Sequence, residues 1–103
     1  VNVANANPVV TNDYTPPTVK IINPVPGMVA GTVTISTNAT DNAAAAGISQ
    51  TLYIDGVVVA RGKGSAMAYS WASSKAAAGL HTIKVVAGDT SGNYASSWIQ
   101  VSK

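Results

Sequence analysis

The sequence predicts an all-β fold, a sandwich of about seven short antiparallel strands without a disulfide. Short segments alternate between apolar and polar residues, which is the period of a strand with one buried face. Turn-forming residues recur between these segments, and no stretch sustains a helical period. The 103 residues contain no cysteine, so the inner faces of the sheets must supply the stability.

The segment 79–89 is the predicted central strand. Read at period two, its odd-numbered positions from 81 to 89 are mostly apolar, and its even-numbered positions are mixed. This pattern is typical of a strand with one face in a core and the other in water. We therefore expect the odd-numbered side chains to point inward, with other strands on both sides.

Four strands are expected over residues 18–64. Thr18–Asn23 ends at Pro24, and its flanking prolines confine it to a sheet edge or a strand end. Segments 31–40 and 48–54 alternate cleanly, except that Gln50 stands on the apolar side of the latter. Asp55-Gly56 then predicts a two-residue hairpin into a return strand that ends at 62–64.

Two further strands complete the count. Segment 66–72 places Met67, Tyr69 and Trp71 on one side, which we expect to face inward. Segment 73–78 crosses back to the central strand, and 93–102 forms the last strand. Seven short strands with regular turns indicate a β-sandwich of the immunoglobulin kind.

Composition limits the function classes. Only ten residues carry a formal charge, and a scattered net charge of +2 is too small for a nucleic-acid-binding surface. No apolar run reaches the ~20 residues of a membrane span. The proline-rich residues 1–17 are predicted to be a linker or the end of a preceding domain, and 18–103 the folded domain.

Several segments resemble the immunoglobulin-like domains that occur as repeats and appendages in secreted bacterial proteins. They include Gly31-Thr-Val-Thr-Ile, Leu52-Tyr-Ile-Asp-Gly, Tyr69-Ser-Trp, Gly79-Leu-His-Thr-Ile-Lys-Val-Val-Ala and Asp89-Thr-Ser-Gly-Asn. The resemblance implies a non-catalytic, secreted module. The opening Val1-Asn-Val-Ala-Asn-Ala resembles the closing helix of subtilisin-like serine peptidase domains, which implies a peptidase as parent.

Catalysis is not expected. His81 is the only histidine, and Asp89 on the same strand lies eight residues away, roughly 26 Å at ~3.3 Å per residue. No serine stands in a Gly-x-Ser-x-Gly motif. We expect His81 to sit under a loop and to hydrogen-bond to backbone; an acid such as Asp55 could approach it only from a neighbouring strand end.

A calcium site is the one metal hypothesis, and no other cofactor is expected. In the immunoglobulin topology Asp41 and Asp89 emerge at one pole, with Asn42 and Asn93 in the same two loops. Their oxygens fit the six to eight oxygen ligands that Ca²⁺ takes. The alternative is that both carboxylates accept backbone N–H bonds within their own turns.

A binding surface is expected on the outer side of one sheet. It consists of Tyr53, Lys84, Val86, Tyr94 and Trp98. Exposed aromatic rings suit a sugar chain or an extended polypeptide, whereas the plainer interpretation is packing against the linker or the parent catalytic domain. The predicted function is that of an accessory module of a secreted hydrolase, which spaces the enzyme and docks it on an insoluble protein. The alternatives are a carbohydrate-binding module and a stalk repeat of an adhesin; neither nucleic acid nor membrane is an expected partner.

Overall fold

The computed structural model describes residues 15–41 and 47–103, which form two packed β-sheets. The strands are β1 (Thr18–Asn23), β2 (Gly27–Met28), β3 (Thr32–Thr40), β4 (Ser49–Ile54), β5 (Val57–Lys63), β6 (Ala66–Ala72), β7 (Leu80–Gly88) and β8 (Tyr94–Ser102). A single 3-10 turn, Ser73–Lys75, connects β6 to β7. The part of the chain described here has no helix long and apolar enough to cross a bilayer.

The strand order confirms the predicted immunoglobulin-like β-sandwich. One sheet has the order β1-β3-β6, and the other has the order β2-β8-β7-β4-β5. β7 therefore lies in the middle of the five-stranded sheet, and β1 lies at an edge, as its flanking prolines require. Ile83 and Val85 are fully buried, whereas Lys84 between them is exposed, so the predicted alternation of β7 is confirmed.

The core lies between the two sheets and is aliphatic around one tryptophan. Its buried residues are Val33, Ile35, Leu52, Ile54, Trp71, Ile83, Val85 and Val101. Trp71 is 7% exposed, which confirms that the aromatic side of β6 points inward. Burying these side chains removes their apolar surface from water, which is the main favourable term for a domain without disulfides.

A buried hydrogen bond joins the two sheets at Gln50, the polar residue on the apolar side of β4. Gln50 on β4 is 1% exposed and Thr37 on β3 is 2% exposed. The Thr37 hydroxyl donates to Gln50 Oε1 at 2.6 Å, and Gln50 Nε2 donates to the Gly64 carbonyl at 2.9 Å. Because its amide is hydrogen-bonded at both ends, Gln50 is tolerated on an otherwise apolar face.

One strand was not predicted. β2 has only two residues and pairs in parallel with the end of β8, whereas the other strand pairs of the described chain are antiparallel. It carries the chain from the three-stranded sheet at β1 to the five-stranded sheet. Residues 1–14 and 42–46 lie outside the described residues, so the boundary of the predicted linker stays a prediction.

Candidate functional site

The outward side of the five-stranded sheet, called here the outer face, carries the residues predicted to bind a partner. The register places Tyr53 on β4 directly opposite Lys84 on β7, and Lys84 directly opposite Trp98 on β8. These three side chains form one row across neighbouring strands, with adjacent strands about 4.8 Å apart. Trp98 is 60% exposed although it is the largest apolar side chain on this face.

The other two predicted residues lie in the next two rows of the same face. Val86 stands between Thr51 and Ser96 and is partly buried. Tyr94 is 67% exposed and lies opposite Gly88. Its ring covers that glycine, because a Cβ atom at Gly88 would come within 2.6 Å of Tyr94 Cε1. Tyr94 is four residues from Trp98 on β8, roughly 13 Å, so the two rings are separate contact points on one surface.

Two basic residues that the sequence pattern did not predict also belong to the outer face. Arg61 on β5 is paired with Thr51, and Lys63 with Ser49, which places both outside. If β4 and β5 kept the register set by the two-residue turn at Asp55-Gly56, Arg61 would pair with the inward-facing Gln50. A β-bulge between the Leu52 and Tyr53 pairs adds one residue to β5 and thereby reverses its alternation.

The outer face is basic over the described residues. Arg61, Lys63 and Lys84 lie on it, and the structure pairs none of these three with a described carboxylate. Asp55, in the turn at one end of the face, uses both carboxylate oxygens in contacts with β7. The face therefore combines exposed aromatic rings with uncompensated positive charge.

His81 forms the second notable cluster, at the start of β7. Its Nδ1 lies 2.5 Å from Asp55 Oδ2, and its Nε2 lies 2.6 Å from the Ala77 carbonyl oxygen. The backbone N–H of Thr82 donates to the other carboxylate oxygen of Asp55 at 2.9 Å. The ring also makes an edge contact with Trp71, with centroids 5.6 Å apart. The cluster thus ties the β4–β5 turn and the segment before β7 to the core.

The contacts of His81 favour its charged form. Carboxylate and carbonyl oxygens only accept hydrogen bonds, so both ring nitrogens must carry a hydrogen to satisfy them. The hydrogen bond to Asp55, with that to Ala77, raises the pKa of His81 above its ordinary value, against the opposing effect of burial. The same hydrogen bond lowers the pKa of Asp55. Because Nε2 already faces a backbone carbonyl, it is not presented to a serine as a catalytic triad requires.

Comparison with known proteins identifies the family. Residues 17–85 match the family model described as "Bacterial Ig domain". The chain belongs to the bacterial Ig domain family. No curated protein gives a significant match to it.

A solved structure shares the fold of this bacterial Ig domain. It is the endo-beta-1,4-mannanase from Thermotoga petrophila, with a TM-score of 0.68 and 11% sequence identity. The similarity covers 87% of this chain but only 20% of the mannanase chain. At that identity the similarity shows the fold alone, and the fold does not determine a function.

Asp41, Asp89 and Asn93, three of the four predicted calcium ligands, lie at one pole of this bacterial Ig domain. Buried Ala39, Ile48 and Ala87 pack together, which brings the ends of β3 and β7 to the same pole. Asp89 accepts hydrogen bonds from the backbone of Ser91 and Asn93 and from the Asn93 side chain; that is the geometry expected of a turn aspartate. Asn42 lies outside the described residues.

Asp41 differs from Asp89. Both of its carboxylate oxygens are buried without a hydrogen-bond partner among the described residues. A buried carboxylate without a partner is costly, and a bound cation would offset that cost. Over residues 15–41 and 47–103, however, no group of three or more acidic, histidine or cysteine side chains is placed to hold a metal.

The calcium hypothesis is tested by melting the domain in EDTA and in millimolar Ca²⁺. If Asp41 binds calcium, the ion must raise the melting temperature, since a ligand of the native state stabilises it by RT ln(1 + [L]/Kd). Asp41→Asn would then abolish the increase. The same melting temperature in both solutions would contradict the hypothesis.

Proposed function

We propose that this domain is a non-catalytic accessory module of a secreted bacterial hydrolase, with a subtilisin-like serine peptidase as the parent enzyme. It spaces the catalytic domain and docks it on an insoluble protein substrate through the outer face. Its partners are the catalytic domain in cis and the protein fibre. Family membership supports a module without catalytic chemistry, and the His81 cluster supports the same conclusion because its hydrogen-bonding groups serve the fold.

The row of Tyr53, Lys84 and Trp98 is the observation that carries the docking proposal. A sheet in contact with water does not require a tryptophan that is 60% exposed on its outer face. Aromatic side chains provide a large contact area with few rotatable bonds, and tryptophan is enriched where binding energy is concentrated. The open face of the sheet presents these groups to a long surface rather than to a small molecule in a cleft.

A carbohydrate-binding module is the second candidate. It is supported by the shared fold of a domain-sized part of a mannanase, a polysaccharide-degrading enzyme. Exposed aromatic rings also stack on sugar rings. A stalk repeat of an adhesin, the third candidate, has no specific observation in its favour beyond the family.

Retention on solid substrates tests the proposal. We expect the domain to be retained on insoluble collagen or elastin, and Trp98→Ala to abolish retention because it removes the largest contact of the row. Ile22→Ala is the matched control: Ile22 is 53% exposed but lies on β1, in the other sheet. It should leave retention unchanged.

Other outcomes separate the candidates. Retention on cellulose, chitin or mannan but not on protein fibres would replace the proposal with the carbohydrate-binding alternative. Equal loss of retention in the Trp98 and Ile22 variants would show that the outer face is not the binding surface. No retention on any of these solids would leave only the spacer role.

A further inference from the structure

We propose that the outer face recognises acidic segments of an extended polypeptide, with carboxylates on alternate residues of the bound chain. This inference rests on the proposed docking function and names the chemistry of the ligand. It is carried by the positions of Arg61, Lys63 and Lys84 relative to the aromatic row.

The three cations lie on the two strands that flank β4. Arg61 and Lys63 stand on edge strand β5, and Lys84 stands two strands away, on β7. Two strand spacings correspond to about 10 Å, which the long lysine and arginine side chains can span. β4 separates β5 from β7, with its Thr51 directly opposite Arg61 and its Tyr53 directly opposite Lys84. A chain running along β4 is therefore within reach of positive charge on both sides.

The charge of this face is uncompensated within the described chain. The carboxylate of Asp55 is bonded to His81 and Thr82, and that of Asp89 is bonded within its own turn. Asp41 has its oxygens buried at the pole formed by the ends of β3 and β7. A ligand with carboxylates would supply the missing charge, and arginine in particular matches a carboxylate with two parallel hydrogen bonds.

The spacing of the cations favours a polypeptide over a polysaccharide. Arg61 and Lys63 are two residues apart on one strand and face the same way, so their backbone positions are roughly 6.6 Å apart. An extended polypeptide repeats its side chains on one side with the same period. A chain running along β4, beside β5, can therefore place carboxylates at residues i and i+2 next to Arg61 and Lys63 in register.

The β-bulge in β5 is what makes this arrangement possible. Without it, Arg61 would point into the sandwich opposite Gln50, as the hairpin register requires. Bulges are known to redirect side chains, frequently next to functional sites. The extra residue in β5 thus turns two basic side chains toward the face that carries Trp98.

Binding to poly-L-glutamate tests the inference, with Arg61→Gln/Lys63→Gln compared with Lys20→Gln/Lys75→Gln. Both double variants lower the net charge equally, but Lys20 lies on β1 and Lys75 in the 3-10 turn. We expect the Arg61/Lys63 variant to lose about tenfold in affinity, equal to about 1.4 kcal/mol, and the control variant to lose little. Melting curves of the two variants verify that both are folded.

Two synthetic peptides of equal composition test whether the bound chain needs its carboxylates on alternate residues. One repeats Glu-Ser, and the other repeats Glu-Glu-Ser-Ser. The alternating peptide should bind several-fold more tightly to the original domain. This preference should disappear in the Arg61/Lys63 variant.

Three results would overturn the inference. The first is equal weakening in both charge variants, because the attraction would then depend only on net charge. The second is tighter binding to polygalacturonate than to poly-L-glutamate, which would indicate a polysaccharide ligand. The third is retention on protein fibres without measurable binding to poly-L-glutamate, which would leave the docking function standing. Conversely, binding to poly-L-glutamate without retention on any fibre would contradict the docking function and leave the recognition chemistry intact.

Discussion

Replacing Ile83 with alanine is expected to lower the free energy of unfolding by about 3 kcal/mol, within the range of roughly 2–5 kcal/mol for buried isoleucine truncations. Ile83 is fully buried in the middle of β7 and belongs to the main core cluster. The truncation removes apolar contacts with both sheets and leaves a cavity. Urea unfolding followed by tryptophan fluorescence measures the loss.

Val86→Ala is the matched control for this prediction. Val86 lies on the same strand but on the outer face, partly buried. Its truncation should cost about 1 kcal/mol or less, because no closed cavity forms. Equal losses in the two variants would contradict the assignment of odd-numbered β7 residues to the core.

The stability of the domain is expected to fall as the pH rises above the ordinary range of histidine titration. The folded pKa of His81 is raised above 6.5, so folding favours the protonated ring. This stabilisation is fully present below pH 6.5 and is lost as the pH rises through the folded pKa. The lowered pKa of Asp55 has its effect at acidic pH. Its contribution to the free energy of unfolding is present above pH 3.8 and is lost as the pH falls through the folded pKa.

Two variants isolate this effect. Asp55→Asn and His81→Gln should each cost about 1–2 kcal/mol at pH 5.5, a value reduced for the solvent exposure of Asp55. Each should flatten the dependence of the melting temperature on pH between 5.5 and 8.5. The double variant should lose less than the sum of the single losses, since both remove the same contact. A wild-type melting temperature that rises over this pH range would contradict the charged His81–Asp55 pair.

The alternating strands could be predicted from the sequence because each has one face in the core. β3, β4, β7 and β8 all show the expected inward and outward sides, and Asp55-Gly56 forms the expected hairpin with Asp55 at a φ of 52°. β2 could not be predicted in this way. It consists of two exposed residues after a proline-rich turn, and it is a strand only because β8 lies beside it.

The sequence pattern could not predict the parts of the site that depend on the register between strands. Arg61 and Lys63 face outward because of one bulged residue, and a shift of one residue reverses every side chain that follows. The Asp55 contact with His81 likewise depends on the alignment of Ile54 with Ile83 across β4 and β7. The outward direction of Tyr53, Lys84 and Trp98 follows from the regular alternation of their own strands, whereas their alignment in one row depends on the register between β4, β7 and β8.

The outer face is tested most directly by backbone amide chemical shifts of the labelled domain, recorded with soluble peptides from the protein fibre that retains it. We expect shift changes on β4, β5, β7 and β8, centred on Tyr53, Lys84 and Trp98, with β1, β3 and β6 unchanged. Changes confined to the three-stranded sheet, or the same pattern of changes in the Trp98→Ala variant, would contradict it.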